Sequence, residues 1–159
     1  MTSNKDIGLK WFTSLISGDQ ETVMSLMADD FRYFLVGTMP SSGWSDRQGF
    51  FESAQAFSRV FATPITMRIG EVTTEDDRVW IEAESEALLT TGATYTNTYV
   101  FLLKVRDGKV VEAKEFSDTL QVFEAVDRPE TRGTRKPRQS PLTTVTDTVR
   151  GPAAAQGIG

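Results

Sequence analysis

Residues 94–118, TYTNTYVFLLKVRDGKVVEAKEFSD, predict two long antiparallel strands joined by a tight turn. At the centre, Asp107-Gly108 supplies the positive backbone angles of a two-residue hairpin turn. Alternate residues of a strand share a face, so one side of the first strand carries Tyr95, Asn97, Tyr99, Phe101 and Leu103. Buried hydroxyl and amide groups need partners, and ligand pockets use such groups, so we interpret this face as a pocket wall.

The elements around this hairpin predict an α+β fold. Apolar residues at helical spacing indicate a helix over residues 5–16 and a short helix that Asp19 caps, with Val23, Leu26 and Met27 buried. A strand over residues 31–36 and a loop over residues 37–44 follow, and Ser45 with Gln48 forms a capping-box pattern that begins a third helix. Residues 65–74 and 79–90 read as further strands, and this order predicts helices covering one face of a curved antiparallel sheet.

The composition excludes several kinds of active site. The 159-residue chain has no cysteine and no histidine, which removes disulfides, thiolate nucleophiles, Ser-His-Asp triads and His-ligated zinc. Any acid or base must therefore be Asp, Glu, Lys or Tyr. We expect no cofactor and no metal, since no closely spaced acidic loop of the calcium type occurs.

Charge divides the chain into two parts. Residues 1–127 carry a net charge of −9, whereas residues 128–159 carry +4 and are rich in Pro, Gly, Thr and Arg. We expect one folded domain over residues 1–127 and a disordered tail over residues 128–159. The acidic body argues against nucleic acid as a partner, and neither a signal peptide nor a membrane-spanning segment is visible, so we expect a soluble, cytoplasmic protein.

Four groups of residues, in this order, resemble a known superfamily: residues 17–19 with 26–30, residues 36–43, the alternating row from Tyr95 to Phe101, and residues 107–110 with 115–119. From residue 5 to about residue 124 the chain resembles the nuclear transport factor 2-like (NTF2-like) superfamily, in particular its ketosteroid isomerase and SnoaL-like polyketide cyclase branches. This resemblance implies a cone in which three N-terminal helices pack on a curved sheet and enclose a hydrophobic pocket.

The chain departs from the ketosteroid isomerases at their catalytic base. Those enzymes place an aspartate one or two residues before a Val-Gly pair, where this chain has Phe34 and Leu35. Their two oxyanion donors correspond to Trp11 on the first helix and Tyr99 on the later strand. Tyr99 can donate a hydrogen bond to an oxyanion, and Trp11 can donate one but cannot exchange protons.

Two other branches suggest different acids. Limonene-epoxide hydrolases use an Asp-Arg-Asp relay, and the comparable residues are Glu84, Glu86 and Glu115, with Val36 and Thr38 replacing the residues that hold the water. SnoaL-like cyclases use an acid near the last strands, which Glu115 and Asp118 match. The resemblance thus implies catalysis from the hairpin and its neighbouring strand.

Each candidate acid also has a structural interpretation. Glu82, Glu84 and Glu86 share a strand face with Trp80; this face is either exposed to solvent or partly covered, which would make Glu82 or Glu84 a usable acid or base. Glu115 shares its face with Val111 and Ala113 and lies either in the pocket or at its rim. Asp118 either contributes to the pocket or caps a short helix over residues 120–125.

From these residues we expect an acid/base enzyme that isomerises, cyclises or hydrates a small hydrophobic oxygenated molecule, such as a polyketide, terpenoid or steroid-like ketone. The expected proton carriers are Glu115, Glu84 and Glu82, and Tyr99 and Asn97 are expected to hold the developing oxyanion. The expected substrate-binding residues are Trp11, Tyr33, Phe34, Trp80, Tyr95, Asn97, Phe101 and Asp118. The alternative is a non-catalytic module for binding or dimerisation, and in either case we expect a homodimer formed through the sheet.

Overall fold

The computed structural model describes residues 2–126 together with residues 139, 141 and 143. The predicted tail, residues 128–159, lies outside the described residues apart from these three. The described helices are α1 (Asn4–Ser17), α2 (Gln20–Leu26), α3 (Arg47–Ser58) and α4 (Thr119–Val126). The strands are β1 (Met27–Leu35), β2 (Gly43–Asp46), β3 (Thr66–Glu75), β4 (Arg78–Leu88), β5 (Thr94–Arg106) and β6 (Lys109–Ser117).

The predicted hairpin is the centre of the sheet. Asp107 and Gly108 both have positive φ, 51° and 74°, as a two-residue turn between twisted strands requires. The six strands are ordered β2-β1-β6-β5-β4-β3, so β5 and β6 occupy the two middle positions. The α+β fold class is confirmed, although the sheet is not wholly antiparallel as predicted, because β1 and β6 pair in parallel.

Strict alternation gives β4 and β5 one buried and one exposed face. In β5 the buried residues include Tyr95, Asn97, Tyr99, Phe101 and Leu103, as the sequence predicts. In β4, Val79, Ile81 and Ala83 are buried on the same side, because they pair with Leu103, Phe101 and Tyr99. We call this side of the sheet the inner face.

Helix α1 packs on the inner face of the sheet. Ser3 begins the helix with a capping box in which it exchanges hydrogen bonds with Asp6, and Gly18 ends it with a φ of 76°. Trp11 and Phe12 are fully buried, and the Phe12 ring lies 4.7 Å from that of Phe101. A Cβ at Gly8 would lie 3.1 Å from Val79, so the absence of a side chain lets the helix approach β4 closely.

The predicted boundaries need three corrections. Met27 is not a helical residue, because α2 ends at Leu26 and Met27 begins β1. Part of the predicted loop forms the short edge strand β2, which pairs with β1. The N-cap of α3 is Asp46 rather than Ser45: its carboxylate accepts a hydrogen bond from Gly49 N at 2.9 Å, whereas Gln48 bonds to Glu52.

Gln139 of the C-terminal segment contacts the sheet. The Gln139 side-chain oxygen accepts a hydrogen bond from the backbone N–H of Trp44 in β2 at 3.0 Å. None of the described helices is long and apolar enough to cross a membrane.

Candidate functional site

Glu115 brings a carboxyl group to the inner face near the end of β6. It follows Ala113, which is buried, on the same side of the strand. Val111 does not share this side as predicted, because a bulge in β6 makes Val110 the partner of the inward-facing Val105. The parallel neighbour β1 places Tyr33 opposite Ala113, and the Tyr33 hydroxyl donates a short hydrogen bond to Glu115 Oε2. Ser117 Oγ donates to the other carboxyl oxygen at 3.3 Å. The structure thus joins two of the predicted site residues and adds Ser117.

The surroundings of this carboxyl group favour its protonated form. Burial raises the pKa of Glu115, and this effect exceeds the opposing effect of the hydrogen bonds from Tyr33 and Ser117. Burial, followed by the nearby Glu115 charge, holds the pKa of Tyr33 well above its usual value. A carboxyl group with a raised pKa is a stronger base when ionised than an ordinary exposed carboxylate, and it can return the proton as an acid.

A row of hydroxyl groups continues from this acid along the inner face. The Tyr99 hydroxyl lies 3.0 Å from that of Tyr95 and 3.1 Å from Ser85 Oγ. All three residues are buried. Burial raises the pKa of Tyr99 and of Tyr95, so both phenols remain hydrogen-bond donors. Tyr99 faces Ser117 across the β5–β6 ladder, and Glu115 is among the charges that raise its pKa.

Asn97 connects this row to the backbone beyond β6. Its Oδ1 accepts from the backbone N–H groups of Thr98 at 2.8 Å and Asp118 at 3.0 Å. Its Nδ2 donates to the Asp118 carbonyl at 3.1 Å and to the Tyr95 hydroxyl at 2.8 Å. Since both Nδ2 hydrogens already have acceptors, Asn97 holds the strand end and Tyr95 rather than offering a free donor.

An aromatic layer covers the acid from the helix side. The Phe50 ring of α3 lies 4.7 Å from that of Tyr33 and 6.0 Å from that of Trp11. Trp11 is fully buried, and its Nε1–H has no hydrogen-bond partner within the described part of the chain. A buried donor without an acceptor is unusual, and it is the kind of group that a ligand oxygen can satisfy.

A cleft of about 400 Å³ opens between α1, α2 and α3. Leu15 and Phe51 line the cleft and also pack against the core that contains Tyr33 and Tyr99. None of the hydroxyl or carboxyl groups described above lines it. The enclosed hydrophobic pocket therefore stays a prediction.

Four other predicted site residues lie on the opposite, outer face of the sheet. Glu82 and Glu84 are exposed, as is Trp80, which is 39% accessible. Phe34 is buried, but its ring packs against Trp44 of β2 at 5.1 Å. Tyr33 faces inwards, and the alternation of β1 turns Phe34 away. The structure therefore does not bring these four residues to Glu115.

Asp118 lies at the start of α4 and is exposed. Its Oδ1 accepts a hydrogen bond from Leu120 N at 3.0 Å, which fits the predicted capping interaction. Its backbone groups, rather than its carboxylate, bond to Asn97. The predicted helix over residues 120–125 is confirmed, with one more residue at each end.

The outer face holds a charged cluster that the sequence analysis missed. Glu112 and Lys114 are both buried and form an ion pair of 3.0 Å, and Arg32 lies 3.2 Å from the same glutamate. The Arg32 guanidinium also lies over the Trp44 ring at 4.5 Å. Since residues 112 and 114 alternate with Ala113 and Glu115, this cluster is separated from the acid by the sheet.

Ser85 and Ser117 were also absent from the predicted site. Their positions gave a signal, because Ser85 alternates with Ala83 and Ala87 on the inner side of β4 and Ser117 alternates with Glu115. Small hydroxyl residues are common on both faces of strands, so the alternation alone did not single them out. No group of three or more His, Cys, Asp or Glu side chains that could hold a metal ion occurs among the described residues.

Helices packed on one face of a curved six-stranded sheet, with an acid and three phenols on that face, define an NTF2-like fold with a polar inner wall. The SnoaL-like domain family matches residues 9–113, and the chain therefore belongs to that family. No curated protein matches the chain.

Solved structures agree on the fold. Wild-type IdmH, a candidate polyketide cyclase from Streptomyces antibioticus, is 21% identical with a TM-score of 0.66, and the match covers 79% of this chain and 99% of that chain. An NTF2-like protein from Burkholderia xenovorans LB400 is 21% identical with a TM-score of 0.64, covering 79% and 99%. TerC, co-crystallised with polyporic acid, is 21% identical with a TM-score of 0.67, covering 78% and 98%.

Proposed function

We propose that this chain is an acid/base enzyme that isomerises, cyclises or hydrates a small hydrophobic oxygenated molecule of the polyketide, terpenoid or steroid-like ketone class. The observation that carries the proposal is the Glu115 carboxyl group, which lies on the inner face against the Tyr33 hydroxyl and has a raised pKa. A raised pKa strengthens the carboxylate as a base and makes the protonated group available as an acid.

The proposed chemistry starts with a proton next to a carbonyl group. The ionised Glu115 removes that proton, and the electron pair of the C–H bond moves towards the carbonyl oxygen. Donors on the inner face then stabilise the negative oxygen. The candidates are the Tyr99 hydroxyl and the Trp11 Nε1–H, which has no partner among the described residues. Return of the proton to another carbon completes an isomerisation. Alternatively, the enolate carbon attacks a second carbonyl carbon to close a ring, and Glu115 returns the proton to the alkoxide oxygen that this forms.

The cleft between the helices supports access from solvent. Its volume of about 400 Å³ is within the range of small-molecule sites. Movement of Leu15 and Phe51, which lie between the cleft and the core, would open a route towards Tyr33 and Tyr99.

Deuterium exchange tests the proposal even while the product is unidentified. The protein is incubated in D₂O with a panel of polycyclic and terpenoid ketones, and mass spectrometry follows exchange of the proton next to the carbonyl. Loss of an acid/base group costs about 10²- to 10⁴-fold in rate, so Glu115→Gln should lose most of the exchange. Glu86→Gln is the matched control, because Glu86 is an exposed glutamate of the outer face.

Two further variants separate the candidate acids. Glu82→Gln and Glu84→Gln change the outer-face glutamates that the sequence also suggested. Normal exchange by Glu115→Gln together with loss in either of these variants would transfer the role of base to the outer face. Normal exchange by all three variants would contradict an acid/base role for these carboxylates.

A non-catalytic binding module is the second candidate. It is favoured by one observation, namely that the residues lining the described cleft include none of the hydroxyl groups or Glu115. In that case purified protein would retain a small molecule, detected by mass spectrometry, and would exchange no ketone in the panel.

A further inference from the structure

Asn97 sets the donor-to-acceptor direction of the hydrogen bonds on the inner face. Both backbone N–H groups that approach this side chain, from Thr98 and Asp118, must face Oδ1, and the Asp118 carbonyl must face Nδ2. These three backbone contacts identify the two ends of the amide without reference to Tyr95. Nδ2 therefore donates to the Tyr95 hydroxyl, and that oxygen acts as an acceptor.

The direction continues through the two phenols. Tyr95 is 2% accessible, and its hydroxyl contacts two partners among the described residues, Asn97 and Tyr99. The three hydroxyl groups of Tyr95, Tyr99 and Ser85 form two bonds with each other, so one of their hydrogens is left over in either direction. Tyr95 is the most buried of the three, at 2% against 4% and 5%, so the spare hydrogen is best placed away from it, and Tyr95 donates to Tyr99 at 3.0 Å. Tyr99 is then an acceptor from Tyr95, and its other partner in the described part of the chain is Ser85 Oγ at 3.1 Å.

A count of hydrogens shows where the chain ends. Tyr99 and Ser85 bring one hydroxyl hydrogen each, and one of the two forms the bond between them. The other hydrogen has no acceptor among the described residues. It belongs to Ser85 if Tyr99 donates, and to Tyr99 if Ser85 donates.

We propose that Asn97 is a positioning residue that directs a donor chain from Asn97 through Tyr95 to the Tyr99–Ser85 pair, which presents one hydroxyl hydrogen to a ligand oxygen. The fitting ligand group is an oxygen acceptor without a hydrogen of its own, such as a ketone carbonyl or an enolate. The inference rests on the proposed function for the class of ligand, and it adds Ser85 and a role for Asn97.

Neutron diffraction from crystals grown in D₂O tests the direction in the ligand-free protein. We expect the Tyr95 deuterium to point to the Tyr99 oxygen, and both Nδ2 deuteriums of Asn97 to point to Tyr95 and the Asp118 carbonyl. A Tyr99 deuterium that points to the Tyr95 oxygen would overturn the proposal. This result does not depend on whether the protein is an enzyme.

Asn97→Asp tests whether the direction controls binding. The new carboxylate accepts from Tyr95, so Tyr99 turns to donate to Tyr95 and Ser85 donates to Tyr99, and no hydroxyl hydrogen is left for a ligand. Thr98→Asp is the matched control, because it adds the same charge one residue away on the exposed outer face. Circular dichroism checks the folding of each variant, and the neutron map of the unchanged protein stands if Asn97→Asp does not fold.

Acetophenone and ethylbenzene are the probes, since they differ by one carbonyl oxygen. One neutral hydrogen bond is worth about a 2- to 10-fold difference in Kd, so the unchanged protein and Thr98→Asp should prefer acetophenone by that factor. Asn97→Asp should lose the preference. Equal binding of the two probes by the unchanged protein, or binding of neither, would overturn the ligand part of the proposal. Loss of ketone exchange on Glu115→Gln is a separate result that bears on the proposed function alone.

Discussion

Glu115 shows how one strand position determines the chemistry of a side chain. Its neighbours on β6, Lys114 and Phe116, point to the outer face, whereas Glu115 shares the inner face with Ala113. On that face it meets Tyr33, and burial together with their hydrogen bond makes the two side chains a protonatable pair. A change of register by one residue would place Lys114 there instead.

The raised pKa of Glu115 predicts how stability depends on pH. A carboxyl group whose pKa is higher in the folded than in the unfolded protein stabilises the fold fully below its ordinary value of 4.5, and this contribution is lost as pH rises through the folded pKa. Glu115→Gln cannot ionise, so its stability relative to the unchanged protein should increase between about pH 4 and about pH 8. Urea unfolding at both pH values measures this difference.

Glu86→Gln serves as the control in these unfolding experiments, because it makes the same change on the exposed face. A stability difference for Glu115→Gln that is equal at the two pH values would contradict the burial of an ionisable group.

The tyrosines predict an unusual alkaline titration. The chain contains three tyrosines, Tyr33, Tyr95 and Tyr99, and the pKa of each is raised, chiefly by burial. Their ultraviolet absorbance should therefore show little tyrosinate above about pH 10, where a free phenol is half ionised, until the protein unfolds. Titration in urea should restore ordinary behaviour. Ionisation of one full tyrosine equivalent in the folded protein near pH 10 would show that the cluster is open to solvent.

At the scale of elements, the N-cap of helix α3 lies one residue later than the local sequence pattern predicts. Ser45 with Gln48 has the sequence of a capping box, but pairing of Ser45 with Tyr33 extends β2 through Asp46. The strand thus holds Ser45 in extended backbone, and the next residue, Asp46, becomes the cap. The correct alternative was visible in the sequence, since Asp is as good an N-cap as Ser.

The cap of α3 is open to direct measurement. Asp46→Ala removes the hydrogen bond to Gly49 N and should lower the free energy of unfolding by about 1 kcal/mol. Ser45→Ala is the control and should have a smaller effect, because Ser45 does not cap the helix. Thermal or urea unfolding of the two variants gives the comparison, and a larger loss for Ser45→Ala would favour the capping box.

At the scale of the whole molecule, the outer face of the sheet is the surface that a second copy would cover. Cross-strand pairing brings Trp80 next to Leu102, and Val100 next to Phe116, on this face. Trp80 is 39% accessible, and the other three are half-buried. Apolar side chains grouped on an exposed sheet face are typical of a protein–protein interface, so we propose a homodimer formed through this surface.

Sedimentation equilibrium tests the dimer. The unchanged protein should sediment at twice the chain mass, and Trp80→Glu should shift it to the monomer, because a charge would then be buried in the interface. Leu120→Glu is the control, as Leu120 is an exposed apolar residue of α4. A monomer at every concentration of the unchanged protein would exclude this arrangement.

Much of the fold was predictable because its signals are local. The turn at Asp107-Gly108, the alternation of β4 and β5 and the helical spacing of α1 each depend on neighbours within a few residues. The parallel pairing of β1 with β6 was not predictable in this way, since it joins residues about 80 positions apart. It is this pairing that brings Tyr33 to Glu115.

The sequence by itself determined the α+β class, the central hairpin and the inward row from Tyr95 to Leu103, because side-chain periodicity follows directly from backbone geometry. It also excluded histidine and cysteine chemistry. Only the tertiary structure showed that Glu115 lies on the inner face and the glutamates of β4 on the outer face. Alternation divides a strand into two faces but does not say which face the helices cover, and packing of α1 and α3 on the inner face makes that choice. The same packing determined that Asn97 holds Tyr95 and the strand end, a role that depends on its contacts with the distant Asp118 backbone.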